Sequence, residues 1–310
     1  MATPVHLLLN PAAAGGRAGR RFRRLAPALE AGLGDRLVVH RSPRPGALRE
    51  LAAGLAREPG TVVAAGGDGT SGEVIGGLAT AGRELVARLW WLPLGSGNDL
   101  ARTLGARDGA ADFLVQVDAP ATRAIDLGRL IDRGPDGGER IRLFGNSLAL
   151  GLPPEVLLAT ERYGKPLGGA LSYAVAAVLT LLRHRPIVLG LDHEGAPASE
   201  APYRLIAVSN GGRFGGGMRI APEARLDDGL LDLVTVGPIP RLEAVTVFPS
   251  VYRGRHLSHP AIALRRIERL EISGRGVLPL ELDGECDTVS LPCRVEVVPG
   301  ALRVAHPAGG

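Results

Sequence analysis

The sequence predicts an α/β domain built on a parallel sheet, followed by a β-rich, antiparallel, sandwich-like domain. Three observations predict it. Short apolar runs alternate with helical patterns over the first third of the chain. After about residue 121 the rhythm changes to many short strands punctuated by turns. The length, 310 residues, suits two domains at roughly 100–200 residues each. The boundary is placed near residue 122, giving domains 1–122 and 123–310, with the last residues able to pack back on the first domain.

The elements follow in order. Residues 5–10 are an apolar run ending in Asn-Pro, a buried strand feeding a turn. Phe22, Leu25, Leu29 and Leu33 recur at helical spacing, and Pro27 is expected to kink or restart that helix. A second strand is predicted over 37–40, a helix over 47–57 with Leu48, Leu51 and Leu55 on one face, and a third strand over 61–65. A glycine turn and a helix from about Ser71 come next, then a strand over 89–94, another glycine turn and a short helix. Successive βα units imply parallel strands, and such sheets bind ligands at the carboxyl ends of their strands. In the second part, strands are expected over 141–152, 187–191, 203–209, 230–236, 269–272, 278–282 and 295–298. Helices are expected over 154–161, 169–182 and 242–251. The 169–182 helix is apolar almost all round, so it is buried, or walls an apolar groove for a lipid chain, or both. No internal repeat is visible.

Composition narrows the function. An apolar fraction of 45% supports a packed core and excludes general disorder. Leu, Val, Ile and Ala must build that core, because only 5 Phe, 2 Trp and 4 Tyr are present. The net charge of +4 is too small to argue for nucleic acid, and no zinc-finger spacing or basic-aromatic pattern supports it. Cys286 and Cys293 are too few and too late for a disulfide framework. Residues 1–6 lack the basic stretch of a signal peptide, and the longest apolar run, 174–182, falls short of the ~20 residues of a bilayer span. A cytoplasmic, non-spanning protein is expected.

The chemistry concentrates in glycine turns. Gly66-Gly67-Asp68-Gly69-Thr70 follows a buried strand and opens a helix, a backbone cradle for an anion. A carboxylate in a phosphate cradle is repulsive unless a divalent cation or water network separates the charges, so Asp68 argues for nucleotide phosphates with Mg²⁺. The plain structural alternative is a tight turn with Asp68 as a cap. Gly95-Ser96-Gly97-Asn98-Asp99 repeats the logic one strand later, with Ser96 able to donate to phosphate and Asn98 able to orient the loop. Asn10-Pro11 and Gly15-Gly16 end the first strand, and Arg17, Arg20, Arg21, Arg23 and Arg24 follow. Those arginines neutralise nucleotide phosphates, lie on an anionic membrane, or form a solvated helix face. The P-loop and dinucleotide fingerprints, H-E-x-x-H and the serine nucleophile elbow are absent. In the second part Asp227-Asp228-Gly229 and Asp283-Gly284-Glu285 read as turns, and the Glu285 carboxylate could instead serve as a base.

Together these blocks resemble the diacylglycerol kinase catalytic-domain family in its soluble bacterial form, related to sphingosine and ceramide kinases. The resemblance runs through Asn10-Pro11, Gly66 to Thr70, Pro93 to Arg102, Asn146 to Gly151, Ser209-Asn210-Gly211, Gly216 to Pro222, Leu226 to Leu231 and Asp283 to Glu285. It implies an N-terminal domain like that of NAD kinase and phosphofructokinase, which binds ATP, and a β-rich lipid-substrate domain. It implies that Asn10, Ser42, Gly66, Gly67, Asp68, Gly69, Thr70, Ser71, Gly72, Gly95, Ser96, Gly97 and Asn98 line the nucleotide site, with Asp68 in a Mg²⁺-water network. It implies Glu285 as the general base that activates a lipid hydroxyl, and a structural Mg²⁺ on Asp228 with the backbone of Arg225 and Leu230. Its partners would be a lipid and, peripherally and transiently, the inner face of a membrane; a homo-oligomer is compatible with the sequence, and no nucleic acid is expected. Ser42 and Ser96 stand where threonine is frequent, and Cys286 where proline is common. The substrate expected is diacylglycerol, with a sphingoid base, ceramide or another lipid alcohol as the alternative. Gly-Gly-Asp-Gly-Thr also occurs in NAD kinases, but the Asn-Glu pair expected there is absent. An inactive lipid-binding homologue is the remaining alternative.

Overall fold

The computed structural model describes residues 3–117, 122–163, 169–193 and 200–305. Residues 118–121, beside the expected boundary, lie outside the described residues. The chain divides into two compact units, one running to Asp126 and resuming at Gly300, the other Leu127–Pro299.

The first unit is a parallel sheet with helices. Its elements are β1 (Val5–Leu9), α1 (Arg17–Leu33), β2 (Leu37–Arg41), α2 (Ala47–Leu55), β3 (Thr61–Gly66), α3 (Asp68–Leu78), β4 (Arg88–Pro93), α4 (Asp99–Thr103) and α5 (Ala110–Val117). Strand order is β4-β3-β1-β2, all parallel, and the end of the last strand adds beside β4 through Val304 opposite Leu89. Every residue of β3 is buried, and the adjacent Trp90 and Trp91, which point to opposite faces, are both buried. That pattern belongs to a sheet covered on both sides. α2 packs on α3, and α1 on α5. Register is what positions the site. Leu9 lies opposite Arg41 and Ala65, and Gly66 opposite Pro93, so the loops after β1, β2, β3 and β4 leave from one edge. β5 (Thr122–Arg133) starts in this unit, where buried Asp126 accepts the Gly300 N–H at 2.8 Å.

The second unit is antiparallel. It contains most of β5, then β6 (Glu139–Phe144), β7 (Ser147–Gly151), α6 (Leu152–Tyr163), α7 (Gly169–Leu181), β8 (Ile187–Asp192), β9 (Ala201–Tyr203), β10 (Leu205–Ser209), β11 (Leu231–Val236), α8 (Arg241–Val247), β12 (Ile262–Ile267), β13 (Arg269–Leu282) and β14 (Glu285–Ala305). The strands run in the order β12-β11-β10-β7-β13-β14, with β5 pairing β14 and β6, and β8 pairing β13 and β9. The main core gathers Phe144, Leu148, Leu150, Ile206, Val208, Leu233, Leu270, Leu280 and Val295. A second, with Phe214, Met218, Ile220 and Val234, lies against Phe248 and Tyr252.

Several expectations need correction. α1 runs through Pro27 without restarting. Pro27 is exposed, so the carbonyl it leaves without a donor faces water, while Ala18, Phe22, Leu29 and Leu33 bury one face along both halves. The strand expected over 141–152 is two, β6 and β7, separated at Gly145-Asn146 by hydrogen bonds described below. β13 is one strand with an irregularity between Ile272 and Gly276, because a bulge absorbs the glycines that read as a break. The helix over 242–251 ends at Val247 and continues as a tighter turn over Phe248–Arg253, where Pro249 cannot donate.

Candidate active site

In the first unit, the sequence-predicted loops meet through hydrogen bonds. Leu94 and Gly95 both donate their N–H to the Gly66 carbonyl at 2.8 Å, which extends the β3–β4 pairing into the two glycine turns. Asp68 completes the clamp: its carboxylate accepts the Asn98 N–H at 2.8 Å and the Asp99 N–H at 2.6 Å. Asp68 therefore opens α3 and caps α4, the helix of the neighbouring loop. Burial pushes its carboxyl above the ordinary carboxylate range, and the N–H groups of Asp99, Asn98 and Leu100 pull against that.

Asn98 holds the second loop from inside. It sits in the left-handed region at φ 57°, accepts the Gly95 N–H at 3.1 Å and donates to the Gly95 carbonyl at 3.0 Å. The approach of the loops leaves no room for side chains. A Cβ on Gly95 would lie 2.8 Å from Asn98 Oδ1 and 2.9 Å from the Gly67 nitrogen, and closer still to Gly67 Cα. A Cβ on Gly97 would run into Asp68 Oδ2, with Asp99 Oδ2 at 3.7 Å. The carboxylates of Asp68 and Asp99 thus converge beside Gly97.

The other expected lining residues fall into two groups. Asn10 donates its N–H to Ala65 O at 3.1 Å, and its side chain accepts the Ala12 N–H at 3.1 Å, so it sits at the end of β1 beside β3. Ser42 donates its N–H to Leu9 O at 2.8 Å at the same edge, while its hydroxyl bonds Arg44 O at 2.7 Å. Ser96 accepts from Arg17 Nη2 at 3.4 Å, which ties the start of α1 to the second glycine loop. Arg17 thus reaches the second glycine loop, whereas Arg21 pairs with Asp108 in the loop before α5. Gly69 and Gly72 lie in the opening turns of α3, partly buried. Thr70 and Ser71 are buried, and the Ser71 hydroxyl accepts from Trp91 Nε1 at 3.1 Å. The Ser71 side chain serves the fold through that bond, and the buried Thr70 hydroxyl lies beside Gly66.

In the second unit, Glu285 stands exposed at the tip of the β13–β14 hairpin, where Leu282 pairs with Glu285 across Asp283 and Gly284. Both turn residues have positive φ, 48° and 82°, as a two-residue hairpin of this hand demands. The tip is anchored. The buried Asp283 carboxylate accepts three N–H groups, from Gly145 at 2.7 Å, Asn146 at 2.8 Å and Ser147 at 3.0 Å. Asn210 donates to Gly145 O at 2.8 Å and Asn146 to Arg213 O at 2.9 Å, which joins two more loops to the same knot. Buried Glu281 accepts the Gly284 N–H at 2.9 Å.

Asp228 accepts the Leu230 N–H at 3.2 Å around Gly229, and Arg225 lies 3.6 Å from Asp227. Burial, together with the charges of Asp228 and Glu223, lifts Asp232 to about 6 against the pull of Arg266. Among the described residues, no group of three or more His, Cys, Asp and Glu could hold a metal ion. Asp68 and Asp99 make a pair, which suits Mg²⁺, an ion usually held by one or two carboxylates with waters and phosphates.

The second unit also contains an apolar cavity of about 90 Å³, lined by Val156, Ala177, Leu181, Met218, Val247 and Phe248 among others. No described helix is long and apolar enough to cross a membrane. The sequence reading missed Asp99 and Asp283 as organisers, because an acid at a helix start or in an Asp-Gly turn carries no sign of what it will bind. It also missed α5, a helix of only eight residues, and β5 and β12, whose interleaved charges hide their buried faces.

Comparison with known proteins agrees with this architecture. Residues 4–130 match the diacylglycerol kinase catalytic domain, and residues 148–306 the YegS C-terminal NAD kinase beta sandwich-like domain. A Pseudomonas aeruginosa protein named a probable lipid kinase, YegS-like, is 35% identical over 304 residues, 95% of this chain and 93% of that one. A protein of the same name from Xanthomonas oryzae is 34% identical over 252 residues, 80% of this chain and 79% of its own. A Mycobacterium tuberculosis protein named diacylglycerol kinase is 31% identical over 264 residues, 84% of this chain and 81% of its own. A crystal structure of a diacylglycerol kinase from Bacillus anthracis superposes with a TM-score of 0.69 at 21% identity, covering 98% of this chain and 96% of that one. That last likeness concerns the fold alone.

Proposed function

The chain belongs to the diacylglycerol kinase catalytic-domain family, and from that membership and the geometry above we propose an ATP- and Mg²⁺-dependent lipid kinase that converts diacylglycerol to phosphatidic acid. The observation that carries the proposal is the pair of glycine loops at the ends of β3 and β4, clamped by Asp68 onto the N–H groups of Asn98 and Asp99. Two turns that exclude side chains, beside the start of α3, leave backbone N–H groups for phosphate oxygens. Arg17 and the Ser96 hydroxyl, adjacent at the same edge, add a cation and a donor. Asp68 and Asp99 would hold Mg²⁺, which neutralises phosphate charge when bound.

In the reaction the lipid hydroxyl oxygen forms a bond to the γ-phosphorus as the bond to the β-phosphate bridging oxygen breaks, and ADP leaves. Glu285 accepts the hydroxyl proton. An exposed carboxylate on a turn fixed by Asp283 suits that task, because a base needs a defined position more than burial. Phosphoryl transfer otherwise depends on positioning and charge neutralisation, the work assigned to the first unit's loops. The apolar cavity near α7 is the place proposed for the end of an acyl chain.

The test is transfer of labelled γ-phosphate to diacylglycerol, with a sphingoid base, ceramide and NAD as competing acceptors and with chelator. Label in phosphatidic acid, lost with chelator, supports the proposal. Label in another lipid changes the substrate, label in NAD moves the protein to the NAD kinases, and nucleotide binding without transfer leaves a lipid-binding homologue.

A further inference from the structure

Helix α7 is apolar on two faces. Ala177 and Leu181 point inward to the cavity, while Val175, Leu179 and Leu182, spaced four and three residues apart, form a stripe on the opposite side. That stripe is open to solvent: Val175 is 42%, Leu179 56% and Leu182 39% exposed. α8, which packs against α7, begins with Arg241 and with Leu242, 79% exposed. Exposed leucines on adjoining elements make a patch, which on a soluble surface marks a contact with something apolar.

Basic charges outnumber acidic ones among the described residues around it. Arg183 and Arg185 are exposed just beyond α7, and Arg241 is exposed at the start of α8. Arg204 ties these segments together. Buried to 8% exposure, it donates to Ile239 O at 2.8 Å and to His184 O at 3.5 Å, so the arginines beside 184 and beside 239 share one neighbourhood. Among the described residues Arg183, Arg185 and Arg241 form no ion pair, and the acids nearby, Glu155 and Glu243, are already paired with His184 and His259. Leucines ringed by unpaired arginines complement a surface that is apolar beneath and anionic on top.

We propose that the outer face of α7 with the start of α8 is the surface by which this protein docks on an anionic bilayer, Val175, Leu179, Leu182 and Leu242 entering the interface and Arg183, Arg185 and Arg241 meeting lipid phosphates. The proposal rests on the lipid-kinase reading only in that a diacylglycerol must be reached in a membrane.

The test is co-sedimentation of the full chain with vesicles of phosphatidylcholine, alone or mixed with phosphatidylglycerol. The forms compared are wild type, Leu179→Ser/Leu242→Ser and Arg183→Glu/Arg241→Glu, with circular dichroism to confirm folding. Wild type is expected to bind the anionic vesicles and release them at high salt. Each arginine lost should weaken partition by about fivefold, and each leucine by about tenfold. Wild-type binding by either folded variant overturns the proposal, as does wild type that ignores anionic vesicles. A wild-type dimer that Leu179→Ser/Leu242→Ser turns into a monomer also overturns it, making the patch an interface between copies. Phosphorylation of a short-chain, water-dispersed diacylglycerol should be equal in all three forms. If none transfers phosphate, the kinase reading fails while the vesicle result still decides the docking surface.

Discussion

Gly95→Ala tests the packing of the two glycine loops with the smallest possible change. The added methyl would sit 2.8 Å from Asn98 Oδ1, 2.9 Å from the Gly67 nitrogen and nearer still to Gly67 Cα. Comfortable contact begins at about 3.5 Å, so the loops must part by roughly 1 Å. A rotamer change cannot relieve the contact, since the closest atom, Gly67 Cα, is backbone. Separation would stretch the Gly95 N–H bond to Gly66 O and pull Asn98 and Asp99 from Asp68. Overpacking of this kind costs about 1–3 kcal/mol. Misplacing positioning groups by ~1 Å costs about 10²-fold in rate. The assays are thermal unfolding, calorimetric titration with ADP and turnover. Gly54→Ala in α2 is the control: nothing lies within 4 Å of its Cβ, and alanine there should stabilise by about 0.5–1 kcal/mol. Gly95→Ala with nucleotide affinity and turnover within about threefold of wild type would refute the clamp as the nucleotide site.

Further predictions address other groups. Asp68→Ala leaves two N–H groups without their acceptor, at about 1–3 kcal/mol each if they stay buried, and should abolish turnover; unchanged activity would remove Asp68 from the mechanism. Glu285→Gln changes an exposed group, so unfolding should not move while kcat falls by about 10²–10⁴. Asp283→Ala should do what Glu285→Gln does not: lower both stability, seen in urea unfolding, and kcat, because three N–H groups lose the carboxylate that fixes the hairpin tip. Burial acts to raise the Asp132 carboxyl, but the Arg140 hydrogen bond, the Ser290 N–H and the charges of Arg142 and Arg140 outweigh it and hold it below the ordinary range. With the folded value below the unfolded one, this stabilisation is complete above about pH 4 and is lost as pH falls through the folded value. Urea midpoints measured down to about pH 3 should therefore fall less steeply in Asp132→Asn than in wild type.

The parallel half of the fold was legible because its strands are buried on both faces. Residues 61–65 and 89–94 read as continuous apolar runs, and each ends in glycine where the chain must turn. The antiparallel half was legible in kind but blurred in detail. Glycine and proline inside β13 and β14 read as breaks, whereas bulges and pairing on both sides carry the strands through. The loops of the site could be picked out from glycine spacing, but the connection between them could not. That Asp68 caps the helix of the next loop is a contact across 30 residues, and that Asp283 holds Gly145 to Ser147 is one across 136 to 138. Local patterns contain no record of such pairings.

The most direct measurement of the central claim is mass spectrometry of the products formed by purified protein with ATP, Mg²⁺, a pooled lipid extract and NAD, with Asp68→Ala as the control. The account predicts phosphatidic acid, gained at the expense of diacylglycerol and missing from the Asp68→Ala reaction. Phosphorylated NAD, or an unchanged lipid pool despite bound nucleotide, would contradict it.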